Sequence, residues 1–199
     1  MKYTVRTLLC LWALVTTVSA GTLPVVAIQP LGLVKQADLE KVRAGIQALY
    51  AVTVEILPEK PLPKAAYYKP RDRYKADAIL DALPNELPER IDKVIGLTTR
   101  DISTTNDDGK DWGIFGLGLL GGKACVISTF RLRAGKADEI LFHARLAKVV
   151  NHELGHTFGL DHCDTQGCLM HSADGKIATV DAESGKPCIA CSARLPLGK

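Results

Sequence analysis

The stretch NHELGHTFGLDHCDTQGCLM, residues 151–170, decides how this chain folds. His152 and His156 are four residues apart, so on a helix both imidazoles lie on one face, a turn apart, where they can bind one metal ion. Glu153 lies about 100° round the same helix axis. That direction does not suit a third ligand, but it reaches a water held on the metal. The stretch therefore predicts a helix that carries two metal ligands and a general base.

A third histidine requires this helix to end. His162 is six residues past His156, and a continued helix would carry it about 9 Å further along the axis and onto another face. Gly159 lies where a left-handed residue would end the helix and turn the chain. The loop can then bring His162 back to the ion. Three neutral histidines leave the fourth zinc position open for water, as in a catalytic site, and Glu153 can take the proton of that water before it attacks a peptide carbonyl.

A second set of metal-ligating residues begins directly after His162. A Cys-x4-Cys pair is followed by a Cys-x2-Cys pair, formed by Cys163, Cys168, Cys188 and Cys191. Paired short spacings suit tetrahedral ligation of a structural zinc, with two disulfides or free thiols as the alternatives. The segment 171–187 is too polar to build its own core, which favours a zinc staple. Cys125 lies in a predicted buried strand and is interpreted as an inert core thiol.

The complete spacing is His-Glu-x-x-His-x-x-Gly-x-x-His-Cys-x4-Cys-x-Met-x17-Cys-x2-Cys, over residues 152–191. It resembles the archaemetzincins, a family of zinc metalloproteases within the metzincin clan. The resemblance implies that the three histidines bind a catalytic zinc, that Glu153 is general base and acid, and that the four cysteines bind a second, structural zinc. Met170 would form a turn that packs beneath the metal ligands. His171, which follows it, is interpreted as a solvated polar residue, with contact to substrate or competition for metal as alternatives.

A glycine-rich segment upstream also resembles this family. FGLG (115–118) precedes CVISTFRL (125–132), which is similar to the family's segment ahead of the active-site helix. By analogy the strand near Ile114–Gly118 is the upper rim that pairs with an extended substrate. The predicted substrate-binding residues on it are Phe115, Gly116 and Leu117.

The rest of the chain predicts an α+β fold (α/β-like), a mixed twisted sheet backed by helices. Apolar patterning predicts strands at 24–28, 51–57, 91–99, 114–122 and 124–132, and helices at 33–50, 74–83 and 138–158. Stretches 58–73 and 101–113 are predicted to be loops. The resemblance adds a long active-site helix in a metzincin-like arrangement. The expected organisation is a signal peptide (1–20), an N-terminal subdomain with the active-site helix (21–159), and a zinc-stapled C-terminal subdomain (160–199).

The first twenty residues have the pattern of a secretory signal. A basic start, MKYTVR, is followed by the apolar run TLLCLWALVTTV and by a small-residue ending at Ala20. Cleavage after Ala20 would export the protein, to a periplasm or out of the cell. It would remove Lys2 and Arg6 and no acid, leaving 23 basic against 22 acidic residues, so the net charge falls from +3 to +1. A nearly neutral chain gives no argument for binding nucleic acid or a membrane surface.

The predicted function is hydrolysis of peptides or proteins with two zinc ions per chain, by a protein expected to be a monomer. Two alternatives remain open at this point. One is a zinc-stabilised module that binds peptides without turnover, against which the intact Glu153 argues. The other is a thiol–disulfide protein that uses CIAC, residues 188–191.

Overall fold

The computed structural model describes residues 22–106 and 108–198 of the chain. The predicted signal peptide lies outside these residues. The described residues form nine strands, which are β1 Val25–Leu31, β2 Thr53–Ile56, β3 Tyr67–Tyr68, β4 Arg73–Lys75, β5 Lys93–Thr98, β6 Ile102–Thr105, β7 Asp111–Ile114, β8 Gly116–Gly118 and β9 Ala124–Ser128. The same residues form five α-helices, which are α1 Gln36–Leu49, α2 Ala76–Ala82, α3 Glu139–Thr157, α4 Ile177–Ala182 and α5 Ile189–Ser192. Within the described ranges, none of the helices is long and apolar enough to cross a membrane.

The main sheet has the strand order β2-β1-β5-β9-β8. Its first four strands are parallel, and β8 runs antiparallel to β9 at one edge. The three inner strands β1, β5 and β9 are buried on both faces, which is why they are almost continuously apolar. The fold class predicted from the sequence, a mixed sheet backed by helices, is confirmed.

Side chains alternate between the two faces of this sheet, as strand geometry requires. Ile95 and Ile127 pack with α1 and α3 in the larger apolar core. Val94 and Val126 pack on the opposite face, in a second core with Ile79 of α2. The sheet thus supports α3 from beneath, and α3 is the element that carries most of the predicted site.

A second sheet, β3-β4-β6-β7, corrects the loops predicted at 58–73 and 101–113. Strands β6 and β7 form an antiparallel hairpin whose register pairs Ile102 with Ile114. Its polar sequence is accommodated because partly buried charges pair across the strands. Asp111 lies 3.3 Å from Arg73 and 2.6 Å from Lys75. The stretch 58–73 also contains β3, the first residue of β4 and two single-turn 3-10 helices, Lys64–Ala66 and Lys69–Arg71.

The residues after α3 form a compact segment with little regular structure. Its helices α4 and α5 span only six and four residues. The segment is joined to the rest by Ala51, whose N–H donates to the carbonyl of Pro196 at 2.7 Å. It is also joined by Arg145 of α3, which binds both carboxylate oxygens of Asp181 at 2.7 Å.

Candidate active site

The helix α3 presents His152 and His156 on one face near its C-terminal end. Asp138 caps its start by accepting a hydrogen bond from the N–H of Leu141 at 2.8 Å. The helix ends at Thr157, and Gly159 has a φ of +90°. This left-handed conformation is open to glycine at little cost. The predicted end of the helix at Gly159 is confirmed.

The two imidazoles are oriented by backbone carbonyls. Nδ1 of His152 lies 2.7 Å from the oxygen of Leu169, and Nδ1 of His156 lies 2.7 Å from the oxygen of Leu160. Because a carbonyl oxygen only accepts, each Nδ1 carries the proton and each Nε2 presents a lone pair. Burial lowers the pKa of His152 to about 3 and also lowers that of His156. Both rings are therefore neutral.

His162 returns to these two rings after the turn at Gly159. Its ring centroid lies 5.4 Å from that of His152 and 4.8 Å from that of His156. The ligand nitrogens of all three residues lie within 4.8 Å of one another. We call these three residues the histidine cluster.

Glu153 lies beside the histidine cluster against the edge of the main sheet. A Cβ at Gly116 would lie 2.6 Å from its Cγ, so only glycine lets β8 approach this side chain. Burial raises the pKa of Glu153 to about 8, opposed by a hydrogen bond from the N–H of Gly118. The carboxyl group is thus held by the backbone of the edge strand rather than by another charge.

A cleft of about 390 Å³ opens over these groups. The predicted substrate-binding residues Phe115, Gly116 and Leu117 form part of one wall, and Ser172–Gly175 form part of the other. The histidine cluster and Glu153 lie between them. Because β8 ends the sheet order, its outer edge has no strand partner within the described residues and lies along the cleft.

Met170 is fully buried beneath α3. A Cβ at Gly155 would come within 2.6 Å of its sulfur atom, so the two residues are in tight contact at the level of the histidines. The N–H of Cys163 donates to the carbonyl of Met170 at 2.8 Å. Met170 therefore packs under the loop that carries His162.

The four C-terminal cysteines lie together as thiols. The sulfur atoms of Cys163, Cys168, Cys188 and Cys191, which we call the cysteine cluster, lie within 4.8 Å of one another. The N–H of Cys188 donates to the sulfur of Cys168 at 3.2 Å, and that of Met170 donates to it at 3.5 Å. Such bonds favour the thiolate form, but burial outweighs them and raises the pKa of Cys168. A hydrogen bond from the backbone of Cys191 is the main reason that the pKa of Cys188 is lowered to about 6.

The two clusters are joined by a short stretch of backbone. The carbonyl of Leu169 orients His152, and the N–H of Leu169 donates to the backbone carbonyl of Lys186 at 2.9 Å. Lys186 lies two residues before the Cys-x2-Cys pair. His171 turns the other way, with Nδ1 at 3.0 Å from the carbonyl of Cys163. His171 is not one of the described residues that form the histidine cluster.

Comparison with known proteins agrees with this arrangement. Residues 35–196 match the model of a family described as Peptidase family M54. A protein named archaemetzincin from Haloquadratum walsbyi is 32% identical over 177 residues, which is 84% of this chain and 96% of that protein.

The chain belongs to the archaemetzincin family. It is a zinc metallopeptidase, and peptides are its substrate class. Crystal structures of archaemetzincins confirm the fold. That from Archaeoglobus fulgidus has a TM-score of 0.74 at 29% identity and covers 86% of this chain and 99% of its own. That from Methanopyrus kandleri has a TM-score of 0.75 at 30% identity and covers 88% of this chain and 95% of its own. Family membership favours a peptidase over both alternative functions considered above.

Several residues of this archaemetzincin cleft were not found from the sequence. Trp112 and Leu120 extend the wall formed by β8, while Val149, Val180 and Glu183 line the cleft from α3 and the end of α4. None of them belongs to a spaced motif. Val149 could have been found, because it lies three residues before His152 and thus on the same helix face.

Proposed function

We propose that the chain hydrolyses peptide bonds with Glu153 as general base, at a catalytic zinc held by the histidine cluster. The observation that carries this proposal is a pair of nitrogens, Nε2 of His152 and Nε2 of His156, which lie 3.0 Å apart. Both rings are neutral with the proton on Nδ1, so two lone pairs face each other with no proton between them. A cation removes that repulsion. Three imidazole nitrogens are the donor set that zinc prefers.

Zinc, when bound there, supplies the Lewis acidity that polarises a carbonyl and lowers the pKa of water. The chain's own residues supply the rest. The carbonyls of Leu169 and Leu160 fix the ring orientations of His152 and His156, as partners of ligating histidines commonly do. The edge strand and the Ser172–Gly175 wall enclose the substrate and exclude water from around it.

Glu153 is placed to move protons. Its carboxylate accepts a proton from the attacking water as the water oxygen bonds to the carbonyl carbon. The carboxyl then donates a proton to the amine nitrogen as the C–N bond breaks. The hydrogen bond from Gly118 holds the carboxylate in the cleft for both transfers.

The free edge of β8 suits an extended peptide. A bound segment can add to this edge by main-chain hydrogen bonds, with Phe115, Gly116 and Leu117 beside it. This explains why the strand that ends the sheet also forms the wall of the cleft.

We propose that the cysteine cluster binds a second, structural zinc. Four sulfur donors around one point form a common structural zinc site, and the lowered pKa of Cys188 favours its ligating form. The segment between them contributes few buried apolar residues, so ligation would hold it folded. Residues 160–199 then form a subdomain that supports the catalytic zinc.

We also propose, from the sequence alone, that residues 1–20 direct export and are removed after Ala20, and that the mature protein acts as a monomer. N-terminal sequencing of protein recovered outside the cytoplasm tests the first point. Light scattering of the purified protein tests the second.

The test of the catalytic proposal is Glu153→Gln. We expect kcat for peptide cleavage to fall by roughly 10²–10⁴-fold, with zinc content unchanged because Glu153 is not a ligand. The matched control is Glu139→Gln, which removes a glutamate from the other end of α3, where it binds Arg133 at the surface. Equal turnover by Glu153→Gln and the wild type contradicts the mechanism.

A further inference from the structure

One acidic side chain of the cleft has no partner. Glu183 follows α4 directly, is only 7% exposed, and lines the cleft. Among the described residues, none donates a hydrogen bond to its carboxylate or forms an ion pair with it. By contrast Asp181, two residues earlier, binds Arg145 through both oxygens. The side chain is largely buried, and burial disfavours a charged carboxylate that has no partner. Because Glu183 lines the cleft, a bound ligand can supply that partner.

The charged groups around Glu183 do not replace such a partner. The ammonium of Lys148 donates to the carbonyls of Val180 and Asp181, at 2.9 and 3.1 Å. His171 donates to the carbonyl of Cys163. Burial raises the pKa of Glu183 to about 7, and Lys148 and His171 oppose this only in part.

Apart from the zinc proposed above, the charged side chains that line the cleft are acidic. Four acids line it, which are Glu153, Asp161, Asp174 and Glu183. Within the part of the chain that the structure describes, no lysine or arginine lines it. A cleft lined by one sign of charge attracts ligands of the opposite sign and disfavours those of the same sign.

The surroundings of Glu183 fit a long side chain with a charged end. Val149 of α3 and Val180 of α4 belong to one apolar cluster and line the same cleft as Glu183. They can cover the methylene groups of lysine or arginine while the cationic end reaches the carboxylate. Glu183 and Glu153 line the same cleft. A side chain bound there thus belongs to a residue near the bond that is cut.

We propose that Glu183 makes this peptidase selective for peptides with a lysine or arginine beside the scissile bond. The selectivity rests on the peptidase activity proposed above. An ammonium or guanidinium in this pocket gains a charge-assisted hydrogen bond that a neutral side chain lacks. A glutamate would place two like charges together in a buried site and is disfavoured.

The test compares peptides that differ only in the residue beside the scissile bond, which is lysine, norleucine or glutamate. Norleucine keeps the aliphatic stem of lysine without its charge. We expect the wild type, loaded with zinc, to prefer lysine over norleucine by roughly tenfold or more in kcat/KM. In Glu183→Gln that ratio falls to near one. Glu139→Gln removes the same charge from the surface at the far end of α3, where Glu139 binds Arg133 outside the cleft, and keeps the ratio of the wild type.

The same peptides are also titrated onto Glu153→Gln, so that binding is measured without cleavage. A preference for lysine in binding that Glu183→Gln abolishes supports the proposal, even if no peptide is cut. Absence of cleavage would contradict the proposed function and not this inference. Cleavage with a lysine-to-norleucine ratio near one in the wild type overturns this inference and leaves the peptidase in place. The lysine-to-norleucine ratio of the wild type needs no variant, so it tests the selectivity even if Glu183→Gln does not fold. A ratio retained by Glu183→Gln, or lost in Glu139→Gln, also overturns it.

Discussion

The histidine cluster and the cysteine cluster lie on unlike scaffolds, although His162 and Cys163 are adjacent in the chain. His152 and His156 project from a helix of 19 residues whose side chains pack into the larger apolar core. The four cysteines lie in a segment whose two helices have only six and four residues. The first site is therefore shaped by packing that exists without metal, whereas the second would depend on the zinc proposed to bind it.

The difference also sets the direction of support. The carbonyl of Leu169 orients His152, and the N–H of Leu169 donates a hydrogen bond to the carbonyl of Lys186. Met170 accepts the hydrogen bond of Cys163 and packs against Gly155 of α3. Both residues lie between Cys168 and the second cysteine pair in the chain. Loss of the cysteine cluster therefore loosens contacts of the catalytic site, whereas α3 retains its core packing.

The largest effect on stability is expected for Cys188→Ser. Loss of one of four ligands should release the structural zinc and loosen residues 160–199, lowering Tm by roughly 10 °C if it costs about 4 kcal/mol. The zinc affinity of the histidine cluster should also fall, because Leu169 and His162 lose their support. Calorimetry and metal titration measure the two effects.

The control for this variant is Ser192→Ala, which changes the residue beside Cys191 without removing a sulfur ligand. It should leave both Tm and zinc affinity close to those of the wild type. An unchanged Tm in Cys188→Ser would count against the structural zinc.

A smaller loss is expected for Met170→Ala, at the contact between the two clusters. Removing a fully buried methionine leaves a cavity beside Gly155, at a cost of about 2–4 kcal/mol. Met170→Leu keeps most of the volume and should cost less than about 1.5 kcal/mol. Denaturant unfolding of both variants measures this. Equal stability of the alanine and leucine variants would show that the packing beneath α3 does not matter.

The smallest effect is expected for Arg145→Leu, which cuts the ion pair between α3 and α4. Arg145 is buried and also donates to the carbonyls of Leu132 and Ala134, so its loss should cost about 2 kcal/mol near neutral pH. Arg145 lowers the pKa of Asp181. The ion pair therefore stabilises the fold above the ordinary aspartate pKa of about 4 and is lost as the pH falls through the lowered value.

Thermal unfolding across pH 2–7 tests how the stabilisation by this ion pair depends on pH, over a range of about five units that brackets the aspartate pKa. The difference in Tm between the wild type and Arg145→Leu should narrow as the pH falls below about 4. Arg90→Leu removes the exposed pair with Glu55 and should have a smaller effect throughout. A gap that widens on acidification would contradict the role given to this ion pair.

The sequence predicted the histidine cluster well because its geometry is local. Spacings of four and six residues with a glycine between them place three side chains from one helix end. The parallel strands followed from continuous apolar runs. The hairpin of β6 and β7 did not, because Asp111 is compensated by Arg73 and Lys75, which are distant in sequence. Glu183 was missed for the same reason, since its place in the cleft depends on how α4 packs on α3.

The measurement that tests the account most directly is the number of zinc ions bound per folded chain, with the cysteine thiols counted after denaturation. The account predicts two zinc ions in the wild type, all four residues of the cysteine cluster reactive as thiols, and weaker zinc binding at the histidine cluster once Cys188→Ser has released the second ion. One zinc ion per chain, with the four cysteines unreactive as two disulfides, would contradict it.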